Sequence, residues 1–205
     1  PISLSIMTVK LLMDHMSQPS RAVHLFLLET GIPFTIEQKL LAKGEHVSKE
    51  MKKLNPNMQL PTLVDGDFSI YESHAIMKYL QRAYPGYVAD HWYPADVRLR
   101  ARVDAMLDWH HNNLRRGAAG LIFATLLVKV RRPSATAEDQ AHLKKEATFN
   151  LKNALKRLND DYCTMGPFLH GMSDITIADL SSAQELVMLD LVGFDYLTDY
   201  PNVRA

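Results

Sequence analysis

The sequence predicts an α/β unit of order β-α-β-α-β-β-α over residues 1–84, a linker over 85–94 and an all-helical unit over 95–205. Three observations carry this. Short apolar runs of strand length alternate with helix-period segments through the first part of the chain. The stretch PGYVADHWYP, Pro85 to Pro94, has neither period and is rich in Pro, Gly and aromatics, as inter-domain linkers are. Beyond it only helical periodicity remains.

Thr8 to Met13 (TVKLLM) is the first strand, and Pro19 to Thr30 follows as a helix with Ala22, Val23, Phe26 and Leu27 on one face. Gly31 suits the helix end, and Phe34 to Gln38 alternates as a second strand. Glu45 to Leu54 is a short polar helix closed by Asn55-Pro56, with Pro61 opening the apolar strand Thr62-Leu63-Val64. Asp65-Gly66 turns that strand into Phe68 to Tyr71, because glycine accepts the positive φ that a tight hairpin turn demands. Ser73 then caps a helix running to about Tyr84. In the second part, Leu99, Val103, Met106, Leu107 and Leu114 stripe one long helix; Leu143, Ala147, Leu151, Leu155 and Leu158 stripe another. Thr176-Ile177-Ala178-Asp179 is a capping box flanked by Ile175 and Leu180 as a hydrophobic staple, a structural feature worth about 1 kcal/mol.

Composition narrows the function. Lys plus Arg equals Asp plus Glu at 23 each, so no global charge draws the chain to nucleic acid or an anionic membrane. The apolar run Gly117 to Val128 is ended by Lys129 and Arg131-Arg132, short of the roughly 20 residues a spanning helix needs. A small molecule or another protein is the expected partner. Cys163 stands alone and forms no disulfide framework, which makes a reducing, cytoplasmic compartment the simpler setting. The sequence starts at Pro1 without a signal segment. Nine histidines invite a metal, but His110 and His111 diverge on a helix and no metal-ligand spacing is found, so none is expected. Gly117-Ala118-Ala119-Gly120 follows a helix where a nucleotide loop would follow a strand.

Ser17-Gln18-Pro19 lies between the first strand and first helix, where unpaired N–H groups and the helix dipole favour negative charge. A thiolate suits that place: lowering a thiol pKa from about 8.5 to near 7 takes only about 2 kcal/mol. Locally, a plain helix cap is the simpler reading. Glu72-Ser73 repeats the arrangement, with a carboxylate for an ammonium group and a hydroxyl and amide for a carboxylate; alone it too reads as a cap. A cis peptide at Leu60-Pro61 would turn the Leu60 backbone outward toward a peptide ligand, although trans is the default before proline. Arg115-Arg116 reads as a solvated basic patch or as an arginine projected toward an anion.

The segments MDHMSQPSRAV, KGEHVSKE, LPTLVDGDF, YESHAI, DHWYPADVRLRARV, WHHNNLRRG and FLHGMSDITIADL together resemble the theta class of cytosolic glutathione transferases, from about Val9 onward. The resemblance implies a thioredoxin-like N-terminal domain, a helical-bundle C-terminal domain, a homodimer, and glutathione as co-substrate for transfer to a small hydrophobic electrophile in detoxification. By position it implies that Ser17 holds the thiolate, Gln18 neighbours it, Glu72 and Ser73 hold the γ-glutamyl end, and Leu60 precedes the cis-proline Pro61. It further implies that His46 meets the glycine carboxylate, Arg115 enters the active site, and Asn112 lies near ligand bound to the neighbouring subunit. Val47 and Gln59 stand where theta relatives often carry lysines, which predicts modest glutathione affinity. Relatives continue past Ala205 through helices that cover the site, so the helical domain is expected to lack its last helices. Peroxide reduction and displacement of halide or sulfate use the same sulfur. The rival functional class is a non-catalytic protein-association module on the same fold. Disulfide exchange is disfavoured, because Ser17 occupies the position where such relatives carry cysteine.

Overall fold

The structure is a computed structural model that describes residues 8–204; Pro1 and Ala205 lie outside the described residues. The chain forms two compact units, Pro1–Tyr93 and Pro94–Ala205.

The first unit is a four-stranded mixed sheet of order β2-β1-β3-β4: β1 (Val9–Met13), β2 (Phe34–Gln38), β3 (Thr62–Asp65) and β4 (Phe68–Tyr71). β1 runs parallel to β2, Met13 opposite Gln38, and antiparallel to β3, Leu12 opposite Thr62. Helix α1 (Gln18–Thr30) buries Ala22, Val23, Phe26 and Leu27 completely, on the face its 3.6-residue period marks. Each of the larger side chains contributes about 1.5–3 kcal/mol by leaving water. The two-residue turn between β3 and β4 places Gly66 at φ 61, where a side chain would be strained.

Three local expectations are corrected. The short polar helix does not begin at Glu45: a 3-10 turn at Leu41–Lys43 comes first, and α2 spans Lys49–Leu54 because the Ser48 hydroxyl accepts from Met51 N–H and fixes the start there. Ser73 is not the cap of α3 (Ser73–Ala83) but its first residue; Glu72, at φ 69, reverses the chain so sharply out of β4 that the cap falls one residue earlier, with no side-chain capping bond. The Leu60-Pro61 peptide is cis, against the trans default of the residue reading and in line with the family resemblance. Within 85–94, a 3-10 turn at Asp90–Trp92 lays the Trp92 ring edge-on to Phe26 at 5.4 Å.

The second unit is helical: α4 (Val97–Trp109), α5 (Arg115–Ile122), α6 (Val128–Arg131), α7 (Ala137–Asp160), α8 (Ile177–Val187) and α9 (Pro201–Arg204). The expected stripes face inward at Val103, Met106, Leu107, Leu114, Ala147, Leu151, Leu155 and Leu158, while Leu99, 38% exposed, and Leu143, half-buried, are exceptions. The long helix continues through two π turns, His110–Leu114 and Phe123–Leu127, which widen it without ending it. α5 lies against α7 so closely that a Cβ on Gly117 would stand 2.5 Å from Leu151 Cα and N, whereas one on Gly120 would meet Ala147 Cβ at 3.2 Å. The capping box of α8 is formed: Asp179 Oδ2 accepts from the Thr176 N–H and hydroxyl, and Oδ1 accepts from Leu169 N–H at 2.8 Å.

Candidate active site

Sheet topology brings the candidate loops of the first unit to one end. Leu12, Thr62 and Tyr71 are opposite one another across β1, β3 and β4, and β2 ends beside β1. The loops that carry Ser17, Leu60-Pro61, Glu72-Ser73 and His46-Val47 therefore all leave the sheet on the same side. A residue that the sequence reading missed ties two of them together. Asp14, 4% exposed, accepts from Met16 N–H at 3.0 Å through Oδ1 and from Leu41 N–H at 2.7 Å through Oδ2, while its carbonyl accepts from Ser17 N–H at 2.9 Å. Asn55, 1% exposed, plays the matching part beneath the cis-proline turn: its Nδ2 donates to Gln59 C=O at 2.9 Å and to Thr62 Oγ1 at 3.2 Å, and its Oδ1 accepts from Asn57 N–H.

Ser17 is the N-cap of α1, 8% exposed, with extended backbone. Its hydroxyl accepts from Ser20 N–H and donates to Leu60 C=O, each at 3.4 Å. Good O–H···O bonds fall near 2.7 Å, so this buried hydroxyl is held in place but weakly engaged. A charged acceptor at the helix start would draw the proton away from Leu60, and the dipole of a 13-residue helix would favour the same charge.

At the same end of the sheet, Glu72 is exposed and Ser73 half-buried at the start of α3, an 11-residue helix whose leading amides have no intrahelical acceptor. Gln18 is 2% and His46 8% exposed, so both sit within protein. Val47 is 58% exposed and its N–H is committed to Gly44 C=O, which leaves its carbonyl as the available backbone group. Gln59 is exposed, while its carbonyl is held by Asn55 and Thr62.

In the second unit, Arg115 follows the first π turn and donates through Nη1 to Glu185 Oε2 at 2.9 Å. Glu185 is 0% exposed and was not singled out from sequence, since one acid on an apolar helix face carries no signal of its partner 70 residues away. Burial raises its pKa, but His110 and the Arg115 charge outweigh that and hold it below the usual carboxylate range. Asn112 is exposed, donates to Asp108 C=O at 3.0 Å, and lines a polar hollow of about 230 Å³ with Trp109, Asn113, Arg116 and Asn153. Cys163 is half-buried, and burial followed by the nearby Asp179 charge pushes its thiol pKa up, away from thiolate chemistry.

A thioredoxin-like sheet with a serine hydroxyl at the first helix start and a helical second unit define a glutathione-transferase architecture. Residues 11–87 match the glutathione S-transferase N-terminal domain family. The chain is 42% identical over 195 residues to glutathione S-transferase T1 of Arabidopsis thaliana, covering 91% of this chain and 75% of that one. To glutathione S-transferase theta-2 of Rattus norvegicus it is 37% identical, covering 97% and 79%. A solved human theta-class glutathione transferase, in complex with the glutathione conjugate of 1-menaphthyl sulfate, superposes with TM-score 0.85 at 36% identity, covering 97% and 79%. The chain belongs to the theta-class glutathione S-transferases. Membership makes it a transferase with glutathione as co-substrate.

Proposed function

We propose that the Ser17 hydroxyl donates to the glutathione sulfur and holds it as thiolate, ready to attack a small hydrophobic electrophile. The supporting observation is the buried hydroxyl at the start of α1, engaged among the described residues only by two 3.4 Å contacts. Ser17 does not attack; it supplies a hydrogen bond that is stronger to the thiolate than to the thiol, so the charged form is favoured. The γ-glutamyl end lies at Glu72 and Ser73, carboxylate to ammonium and helix amides to carboxylate. Leu60 offers backbone to the cysteinyl part of glutathione, with Pro61 setting its direction. His46, the Val47 carbonyl and the Gln59 side chain meet the glycine end, without the charge pairing that lysines at 47 and 59 would add. Gln18 supports the Ser17 turn from within.

Arg115 meets the anion that leaves the electrophile. With 1-menaphthyl sulfate, whose conjugate a human relative holds, sulfur forms a bond to the arylmethyl carbon as the carbon–oxygen bond breaks, and sulfate departs with the electron pair. The enzyme acts as a homodimer with Asn112 close to the partner's ligand. A reducing compartment such as the cytoplasm fits the single, half-buried cysteine; among the described residues no helix is long and apolar enough to cross a membrane.

The test compares wild type with Ser17→Ala in the ultraviolet absorbance of bound glutathione thiolate across pH. A lost hydrogen bond to a charged group, about 1.5–3 kcal/mol, raises the thiol midpoint by roughly one to two units and slows conjugation of 1-menaphthyl sulfate correspondingly. Identical titration curves for the two proteins would refute the role given to Ser17.

A further inference from the structure

Glu185, on α8, is 0% exposed, and one of its oxygens serves two partners: Oε2 lies 2.9 Å from Arg115 Nη1 and 3.6 Å from His110 Nε2. The other oxygen, Oε1, has no hydrogen-bond partner among the described residues. His110 and Arg115 are five residues apart on one continuous helix. In α geometry, positions five apart point about 140° away from each other and cannot share a carboxylate. The π turn removes that conflict. It spans His110–Leu114, the Arg115 N–H bonds back to His110 C=O, and the five-residue spacing lays the two side chains on one face toward Glu185.

A buried ion pair is a poor way to gain stability, because desolvation of both charges offsets their attraction; an apolar side chain of similar volume at position 185 would do as well or better. Here the expense is greater still, with one carboxylate oxygen left unpaired. What the pair does provide is direction. Arg115 keeps 32% of its side chain exposed, yet one edge of its guanidinium is tied to a carboxylate that cannot move into water. A long, many-rotamer side chain is thereby ordered before any ligand arrives.

We infer that Glu185 is a positioning residue for the transfer reaction: with His110 as second contact, it fixes the orientation of Arg115, so that the guanidinium needs no reordering when the leaving anion develops. This rests on the reading of Arg115 given under the proposed function. The experiment is a double-mutant cycle on the full chain, with Glu185→Gln, Arg115→Ala and the pair, measuring kcat for 1-menaphthyl sulfate, KM for glutathione and the number of glutathione sites by titration. Arg115→Ala is expected to lower kcat about tenfold or more, and Glu185→Gln about three- to tenfold, with glutathione KM and site number unchanged; the pair is no slower than Arg115→Ala alone. A purely structural role would instead lower the number of glutathione sites in step with the rate. Glu185→Gln at wild-type speed while Arg115→Ala is slow overturns the inference and leaves the arginine's role standing. An equal loss from Glu185→Gln in both backgrounds also overturns it, since the residue then acts independently of Arg115. Arg115→Ala at wild-type speed refutes the arginine reading and the inference with it. Should Glu185→Gln fold poorly, Glu185→Asp, which keeps the charge but withdraws it by one methylene, is expected to show the same split between kcat and glutathione KM.

Discussion

Asp14 does more for the candidate site than any side chain its neighbours suggest. It is nearly buried, and between its carboxylate and its carbonyl it receives the N–H groups of Met16, Ser17 and Leu41. Hydrogen bonds to a charged acceptor are worth about 1.5–3 kcal/mol each, and their loss leaves buried donors unsatisfied. Asp14→Ala should therefore lower unfolding free energy by about 3 kcal/mol, read as an earlier urea midpoint, and weaken glutathione binding; Asp14→Asn, with one acceptor oxygen left, should lose roughly half as much. None of this was legible beforehand, because an aspartate after a strand is common and its second partner, Leu41, lies 27 residues on. Ser17 was legible as a helix start from residue type and place, yet nothing local separated a cap from a thiolate donor. Only its two long hydrogen bonds in the folded chain show how weakly the hydroxyl is engaged.

At the scale of elements, the strands and their succession along the chain were readable because a strand shows an apolar or alternating run and a hairpin needs its glycine, whereas the order β2-β1-β3-β4 within the sheet was not read from the residues. Helix starts were less so: Ser48 and Glu72 both moved the expected beginning, one by a hydroxyl bond and the other by a backbone reversal. The π turns were invisible, because one widened turn changes the helix phase without adding a residue type that marks it. Gly117 and Gly120, dismissed as a nucleotide loop, prove to be the surface on which α7 rests. Their costs differ in a way that can be measured. Gly117→Ala would drive a methyl group into the Leu151 backbone and should destabilise by about 2–3 kcal/mol, whereas Gly120→Ala faces only a methyl at 3.2 Å and should cost less than about 1 kcal/mol; urea unfolding of the two variants gives the comparison.

Across the whole molecule, equal numbers of acidic and basic residues leave stability to particular charges rather than net repulsion. Asp65 is one: its Oδ2 accepts from the hydroxyls of Tyr79 and Tyr84, each at 2.8 Å. Burial, then the bond to Asp65 and its charge, push Tyr79 up to about 12 from 10.0, and Tyr84 moves in the same direction. The unfolded chain therefore releases these protons first. The stability this hydrogen-bonded pair contributes is whole below pH 10, the unfolded value, and declines as pH rises toward 12. Thermal midpoints at neutral pH and at about pH 11 should show a smaller alkaline drop in Tyr79→Phe than in wild type. The crossing at Gly117 bears on how such a protein can be rebuilt. Because the obstruction would come from the Leu151 backbone, no change of side chain at 151 makes room, and the two helices must be inherited together. Chimeras that exchange helices among theta-class relatives should keep α5 and α7 from one parent; a junction that separates them joins surfaces whose spacing was never matched.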